Sequence, residues 1–333
     1  MLDEKQLNKR IAIIGHENAI VGQLLKKLQD QDYISNLVSI NETLTPIPVK
    51  KLTAVRQSID SPYYTILRRH RVNTIIHMGL YNSLDVPSKL LPDLSDRNDK
   101  VIDSLLDSCE NSDIDHLVFI SSSCIYHSAP VDWASVSESD VHESEKGLSL
   151  GLDHYKAEQK LRQYANNNSH IAVTILRPSS VLGPSSNRIM CLESVSWNTV
   201  SIKNGFPLQF MHEYDFIDAI DKTVESIPIG VFNIASAGVI YPAEIKKIIG
   251  KKIISIPRSF PYFLVKWLIR FISFHNIKDF HWKSLMYPVV MSTVKFTNET
   301  AFQPMFNSND AVTDYIYSNI IMKEEVEIIY DGK

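Results

Sequence analysis

The chain has 333 residues, room for one large domain or two modest ones, and its 44% hydrophobic and 22% charged content is ordinary for a soluble globular protein. Only 11 Gly and 15 Pro exclude a collagen-like or low-complexity chain, and 34 basic against 38 acidic residues (net charge −4) exclude a general polyanion binder, so no nucleic-acid partner is expected. The three cysteines, Cys109, Cys124 and Cys191, are scattered and form no CxxC pair, which argues against a disulfide framework or a zinc site and for a reducing compartment.

The segment from Met1 to Arg10 is polar and lacks the apolar core of a signal peptide. No uncharged run reaches the ~18 residues of a spanning helix, so the expected location is cytoplasmic. Ile11 to Ile14 is a short apolar run followed by Gly15, the pattern of a buried parallel strand. Ile20 to Leu28 carries apolar residues at helical spacing. Further strands are predicted at Leu37–Ile40, Thr53–Ile59, Thr74–His77, His116–Ile120 and Val173–Leu176. Helices are predicted at Tyr63–Arg71, Asn98–Cys109 and Asp153–Asn166. Strands that alternate with helices imply crossover units and a parallel sheet, and all-apolar strands imply a sheet covered on both faces. The fold class is therefore α/β, a doubly wound parallel sheet of Rossmann type. It is expected to occupy 1–184 with later returns to the sheet. Residues 185–322 form a smaller substrate-binding domain over the carboxyl edge, and 323–333 a loose tail.

The first strand–helix turn, Gly15-His-Glu-Asn-Ala-Ile-Val-Gly22, occupies the place where such a fold sets a pyrophosphate on helix N-terminal amides. Gly15, Ala19, Ile20 and Gly22 are the candidate cradle. Its outer glycines stand one residue too far apart for the tight motif, Ala19 replaces the middle glycine, and Glu17 brings a negative charge. At the end of the second strand, where an acid would hold the adenosine ribose, stands Asn41. Ile59 and Asp60, after the third strand, are candidates for the adenine edge. NAD and NADP are not distinguished.

Four later segments occur in a telling order: His116-Leu-Val-Phe-Ile-Ser-Ser-Ser-Cys-Ile-Tyr126, Lys156-Ala-Glu158, Leu176-Arg-Pro-Ser-Ser-Val-Leu-Gly-Pro184 and Gln209-Phe-Met-His-Glu-Tyr-Asp215. Together they resemble the extended short-chain dehydrogenase/reductase family, the NAD-dependent epimerase/dehydratase group. Asn98, Gly230–Ala235, Ile256–Arg258 and Ala301–Pro304 extend the resemblance over about Arg10 to Tyr317. It implies a nicotinamide cofactor, NAD or NADP, and a small-molecule substrate such as a sugar nucleotide. A homodimer is left open.

The resemblance also implies a Ser, a Tyr and a Lys four residues after the Tyr, acting together on a substrate hydroxyl or carbonyl. Ser122 takes the Ser position and Lys156 the Lys position; the Tyr position is then Leu152, which carries no proton. Three readings are open. Catalysis is lost, another group such as Tyr155 or a water serves, or the register differs. Tyr155 stands about 100° around the helix from Lys156. The resemblance further sets Met78, Gly79, Ser121, Pro178 and Val181 beside the cofactor, and Ser123 and Ser179 beside the substrate. His212 and Asp215 are read as structural, His77 as a satisfied buried histidine, and the aromatic run 260–274 as a lid, with a membrane-surface helix or dimer contact as its rivals. No metal-ligand spacing occurs. Two functions follow: an NAD(P)-dependent oxidoreductase or epimerase, or a non-catalytic sensor or scaffold that keeps the fold.

Overall fold

The computed structural model describes residues 8–15, 19–43, 48–81, 92–126, 135–141, 149–186, 200–202, 207–250, 254–256 and 289–321. Glu17, the aromatic run 260–274 and the expected tail 323–333 lie outside the described residues.

In chain order the first half runs β1 (Lys9–Ile14), α1 (Ala19–Gln29), β2 (Ile34–Asn41), β3 (Leu52–Arg56), α2 (Tyr64–Arg69), β4 (Thr74–His77), α3 (Leu94–Glu110), β5 (His116–Ile120), α4 (Ser149–Asn167) and β6 (Ala172–Pro178). The rest comprises β7 (Ser180–Leu182), β8 (Val200–Ile202), β9 (Phe210–His212), α5 (Glu213–Ser226), β10 (Gly230–Ile234), α6 (Pro242–Ile249), β11 (Ile254–Ile256), α7 (Val294–Thr300) and α8 (Ser308–Ile316). The third predicted strand stops at Arg56 rather than Ile59, and α4 begins at Ser149, one turn before the predicted start.

Seven strands form one sheet in the order β3-β2-β1-β4-β5-β6-β10, every pair parallel. The chain winds outward from β1 to β3, then restarts at β4 on the other side of β1. That reversal is the topological switch point, and ligands of open α/β sheets bind beyond the strand carboxyl ends there. The strand pleat divides the core. Ala12, Ile14, Ile75, Leu117 and Phe119 pack under α2, α3 and α4, with Leu67, Val101, Leu105 and Leu161. Their neighbours Ile11, Ile13, Ile76 and Val118 pack on the opposite face against Leu24 and Leu25 of α1, Ile217 and Ile220 of α5, and Phe296 of α7. Period-two alternation thus feeds two apolar layers, which is why these strands read as continuous apolar runs. β10 comes back from beyond residue 184 to take the edge beside β6. A second lobe holds the pairs β7–β9 and β8–β11, with Leu182, Phe210, Ile240, Ile245, Val312 and Ile316 as its core.

Candidate functional site

The crest of β1 is built from bare backbone. Gly15 has φ +141°, and a Cβ added to it would come within 2.8 Å of Met78 Cβ on the crest of β4. Gly79 has φ +93°, and its Cβ would meet the Ile120 carbonyl at 2.9 Å. Both conformations strongly favour glycine. The crests of β1, β4 and β5 therefore approach one another closely, and neither glycine position has room for a side chain. Ala19 opens α1 and is exposed, and Ile20 and Gly22 on the same helix are half-buried.

Asn41 does not reach into the crevice. It is buried, its amide oxygen accepts from Ser39 Oγ (2.5 Å), and its NH2 donates to the carbonyls of Ile40 (3.0 Å) and Gly15. It braces β2 against the first turn. The carboxylate at this strand end is Glu42, which the sequence reading missed. Glu42 accepts from the Tyr81 hydroxyl and from Arg97 Nη2 (3.1 Å), with Ser58 Oγ 2.8 Å away. Asp60 accepts from Arg97 Nε (3.1 Å). Burial would raise both carboxyl groups, but these hydrogen bonds and the Arg97 charge outweigh it and hold both below the usual range. Ile59 is fully buried in the core below. The only clue to Glu42 was its adjacency to Asn41. Arg97, 55 positions from Glu42, had none.

At the end of β5, Ser121 is buried and its Oγ donates to Glu158 Oε1 (2.7 Å). Ser122 is half-buried; its Oγ accepts from the Cys124 N–H (3.2 Å) and caps a short 3-10 turn that contains Ser123. Glu158 also receives Arg177, which in turn donates to the Tyr126 hydroxyl (2.9 Å). Tyr126 donates to Asn233 of β10, and burial pushes its phenol up, so this tyrosine is a structural strut.

The orientation of α4 bears on the question of register. Gly151, His154, Ala157, Glu158 and Leu161 are its buried side, and a Cβ on Gly151 would collide with the Cys124 carbonyl. Lys156 is exposed and Leu152 only half-buried. Two residues turn a helix by about 200°, so the pair Leu152/Lys156 lies away from the pair His154/Glu158. Lys156 lines a groove of about 300 Å³ between α3 and α4 with Ser95, Asp96, Asn98, Asp99 and Asp153. Among the described residues its side chain makes no hydrogen bond to Ser122. The residue one turn before His154 is Leu150, so neither register supplies a tyrosine. Burial pushes the His154 imidazole down to about 4 despite the nearby Glu158 and Asp153 charges. Tyr155 is half-buried on another flank, against the cluster of Ile125, Tyr126, Ala235 and Met291. Asn98 accepts from the Tyr81 N–H (2.9 Å) and donates to Asp153 (2.9 Å), joining α3 to α4.

Pro178 and Ser179 at the end of β6 are buried, and the Ser179 hydroxyl has no partner among the described residues. Val181 of β7 is half-buried against the layer under α1 and α5. Asp215 accepts from the backbone of Met305 (2.8 Å) and Phe306 (3.1 Å), while the His212 ring stacks on Phe306 at 3.9 Å and bonds Asp314 (3.2 Å). These two residues dock the chain leading into α8. His77 is buried, its ring stacked on Phe119 at 5.6 Å. Among the described residues, no group of three His, Cys, Asp or Glu is placed to hold a metal ion, and no helix is long and apolar enough to cross a membrane.

Known proteins share this architecture. The chain is 23% identical over 324 residues to the uncharacterized protein Rv0501 of Mycobacterium tuberculosis, covering 94% of this chain and 85% of the relative. The UDP-glucuronic acid 4-epimerase of Bacillus cereus, solved in complex with NAD, superposes with TM-score 0.69 at 16% identity over 93% of this chain and 98% of its own. The UDP-glucose 4-epimerase of Thermotoga maritima, solved with UDP-glucose, gives 0.70 at 15% identity over 96% and 99%. A family model described as NAD dependent epimerase/dehydratase family matches residues 11–235, two thirds of the sequence. The chain belongs to the NAD-dependent epimerase/dehydratase family.

Proposed function

We propose that the protein is an oxidoreductase or epimerase that binds a nicotinamide dinucleotide, NAD or NADP, and acts on a sugar nucleotide or a related hydroxyl compound. The observation that carries this reading is the close backbone approach at the switch point, where Gly15 and Gly79 add no side chain of their own at the ends of β1 and β4. A pyrophosphate fits such a surface, because it needs close approach to peptide N–H groups. The ligands of the epimerases named above, NAD and UDP-glucose, support the same pairing.

The bound nicotinamide supplies a hydride acceptor or donor. Ser122 Oγ accepts from the Cys124 N–H and lies beside the Cys124 thiol, so its own O–H turns from that sulfur to donate to a substrate oxygen. Glu158 holds Ser121 and so fixes the serine run. Tyr155 is the candidate for proton transfer, reached from the flank of α4. Lys156 serves the cofactor ribose only if the helix rotates, and the inward His154 is uncharged at neutral pH, so no α4 cation sits there to lower a phenol's pKa.

That last point favours a second reading, a cofactor-binding protein without turnover. Thermal melting with NAD+, NADH, NADP+ and NADPH tests the shared part, since a ligand of the native state raises the melting point by mass action. No shift with any of the four discards both readings. With a shift in hand, product analysis on candidate sugar nucleotides separates them. Conversion by the native chain but not by Tyr155→Phe supports the enzyme, and no conversion supports the binding protein.

A further inference from the structure

β10 is the outer strand of the sheet, and two segments far apart in the chain close over its end. Glu138 Oε1 accepts from the Asn233 N–H (2.8 Å), and the Glu138 carbonyl accepts from Arg177 Nη1 (3.1 Å), which fixes the segment 135–141. That segment pairs in parallel with 289–292. The Val136 N–H donates to the Val290 carbonyl and the Ser292 N–H to the Val136 carbonyl, both at 2.8 Å. The peptide groups of Met291 point the other way, toward Gln209, the residue before β9. The Met291 N–H donates to Gln209 Oε1 (2.8 Å), and Gln209 Nε2 donates back to the Met291 carbonyl (3.3 Å). A primary amide carries an acceptor and a donor side by side, so this side chain takes the part of a neighbouring strand.

The strap so latched forms a wall. Met291 is buried with Ile125, Tyr126 and Ala235, and Tyr155 packs against that cluster beside Val136 and Val289 of the strap. Ile125 lies in the 3-10 turn that Ser122 caps, and Tyr126 ends it. Tyr155 thus shares one wall with the serine turn. The packing of α4 fixes the Tyr155 backbone, but its side chain leaves the helix about 100° from the inward His154. On that flank the strap, not the helix, limits the ring's rotamer.

We infer that Gln209 is a positioning residue: by latching Met291 and the strap, it holds the Tyr155 ring against the turn capped by Ser122. The inference rests on the reading of Tyr155 as the proton-transfer group. Gln209 touches neither residue. It acts through the backbone of Met291, and its loss leaves the dinucleotide crevice between β1 and β4 as it was.

Hydrogen exchange and tetranitromethane nitration of the full chain, both mapped by mass spectrometry, test this on the native protein, Gln209→Leu and Gln209→Glu. Gln209→Glu keeps the acceptor for the Met291 N–H and loses only the longer bond. Melting with and without a dinucleotide verifies that each variant is folded and binds it. Gln209→Leu is expected to speed exchange at 135–141 and 289–292 by about tenfold or more. Nitration of Tyr155 is expected to rise severalfold, with the exposed Tyr317 as an unchanged reference. On UDP-glucose and UDP-glucuronic acid, kcat is expected to fall about tenfold with KM unchanged, as misplacement of a reacting group requires. Gln209→Glu is expected to recover most of each loss. Native exchange and nitration in Gln209→Leu overturn the inference and leave the enzyme reading standing. So does a loosened strap with native kcat, or a rise in KM alone. A native chain that converts neither sugar nucleotide overturns the enzyme reading, and this inference with it.

Discussion

Arg177 and Glu158 form a two-toothed ion pair, Nε to Oε1 at 2.8 Å and Nη2 to Oε2 at 2.5 Å, with both side chains sealed from solvent. The pair joins β6 to α4, and through Ser121 and Tyr126 it reaches the end of β5 and β10. Its worth lies in what happens when half is removed. Breaking a buried pair from one side strands the other charge and costs about 3–5 kcal/mol, whereas removing both charges costs much less. Arg177→Met and Glu158→Leu are each expected to lose stability of that order, and the double variant less than the sum. Urea denaturation of all three checks this; strict additivity would show that the pair is not coupled.

Gly15 and Gly79 should tolerate no side chain. Alanine at either forces a positive φ on an L residue and a contact under 3.0 Å with a neighbouring crest. Gly238 provides the comparison, since it has φ +71° but nothing within 4 Å of an added Cβ. Gly238→Ala is expected to cost about 1–2 kcal/mol from backbone strain alone. Gly15→Ala is expected to cost more, and also to abolish the melting shift given by a dinucleotide. A Gly15→Ala protein as stable as Gly238→Ala would refute the close approach to Met78.

Two buried histidines set an acid limit. Burial pushes His154 down to about 4, and His116, beside Lys9, down to about 3. Both folded values lie below the ordinary 6.5, so the unfolded chain binds these protons first. The stability is complete above about pH 6.5 and falls as pH drops toward 4. Each histidine adds a slope of up to about 1.4 kcal/mol per pH unit. Denaturation between pH 6.5 and 5, mostly above the carboxylate range, is expected to show that slope. His154→Gln should flatten it by about one proton; an unchanged slope would show that His154 titrates normally.

Lys156 stands on the exposed side of α4, so its removal should be silent. Lys156→Ala is expected to change stability by no more than about 0.5 kcal/mol and to leave the dinucleotide melting shift intact. A lost shift with unchanged stability would mean that α4 turns on binding and that the ribose-holding role expected from the family resemblance is real.

Much of this architecture was legible in the residues alone. Apolar runs such as Ile11–Ile14 and His116–Ile120 announced strands covered on both faces, and the helical spacing of Ile20–Leu28 announced the crossover between β1 and β2. Local periodicity encodes these elements because burial of one face is a short-range demand on neighbouring residues. Gly15 was visible for the same reason, as the one residue free to end β1 in a tight turn. The face of α4 was not. A motif anchored on Lys156 and one anchored on His154 differ by two positions, yet that offset turns the helix to nearly its opposite side. Only packing against Cys124 and Phe119, with Glu158 caught by Ser121 and Arg177, decided which side faces in. The cluster at the ends of β2 and β3 was equally hidden. Glu42, Asp60, Tyr81 and Arg97 are distant in the chain and carry no shared motif; the parallel winding of β2, β3 and β4 brings their charges together, and no local pattern records a contact made by the sheet as a whole.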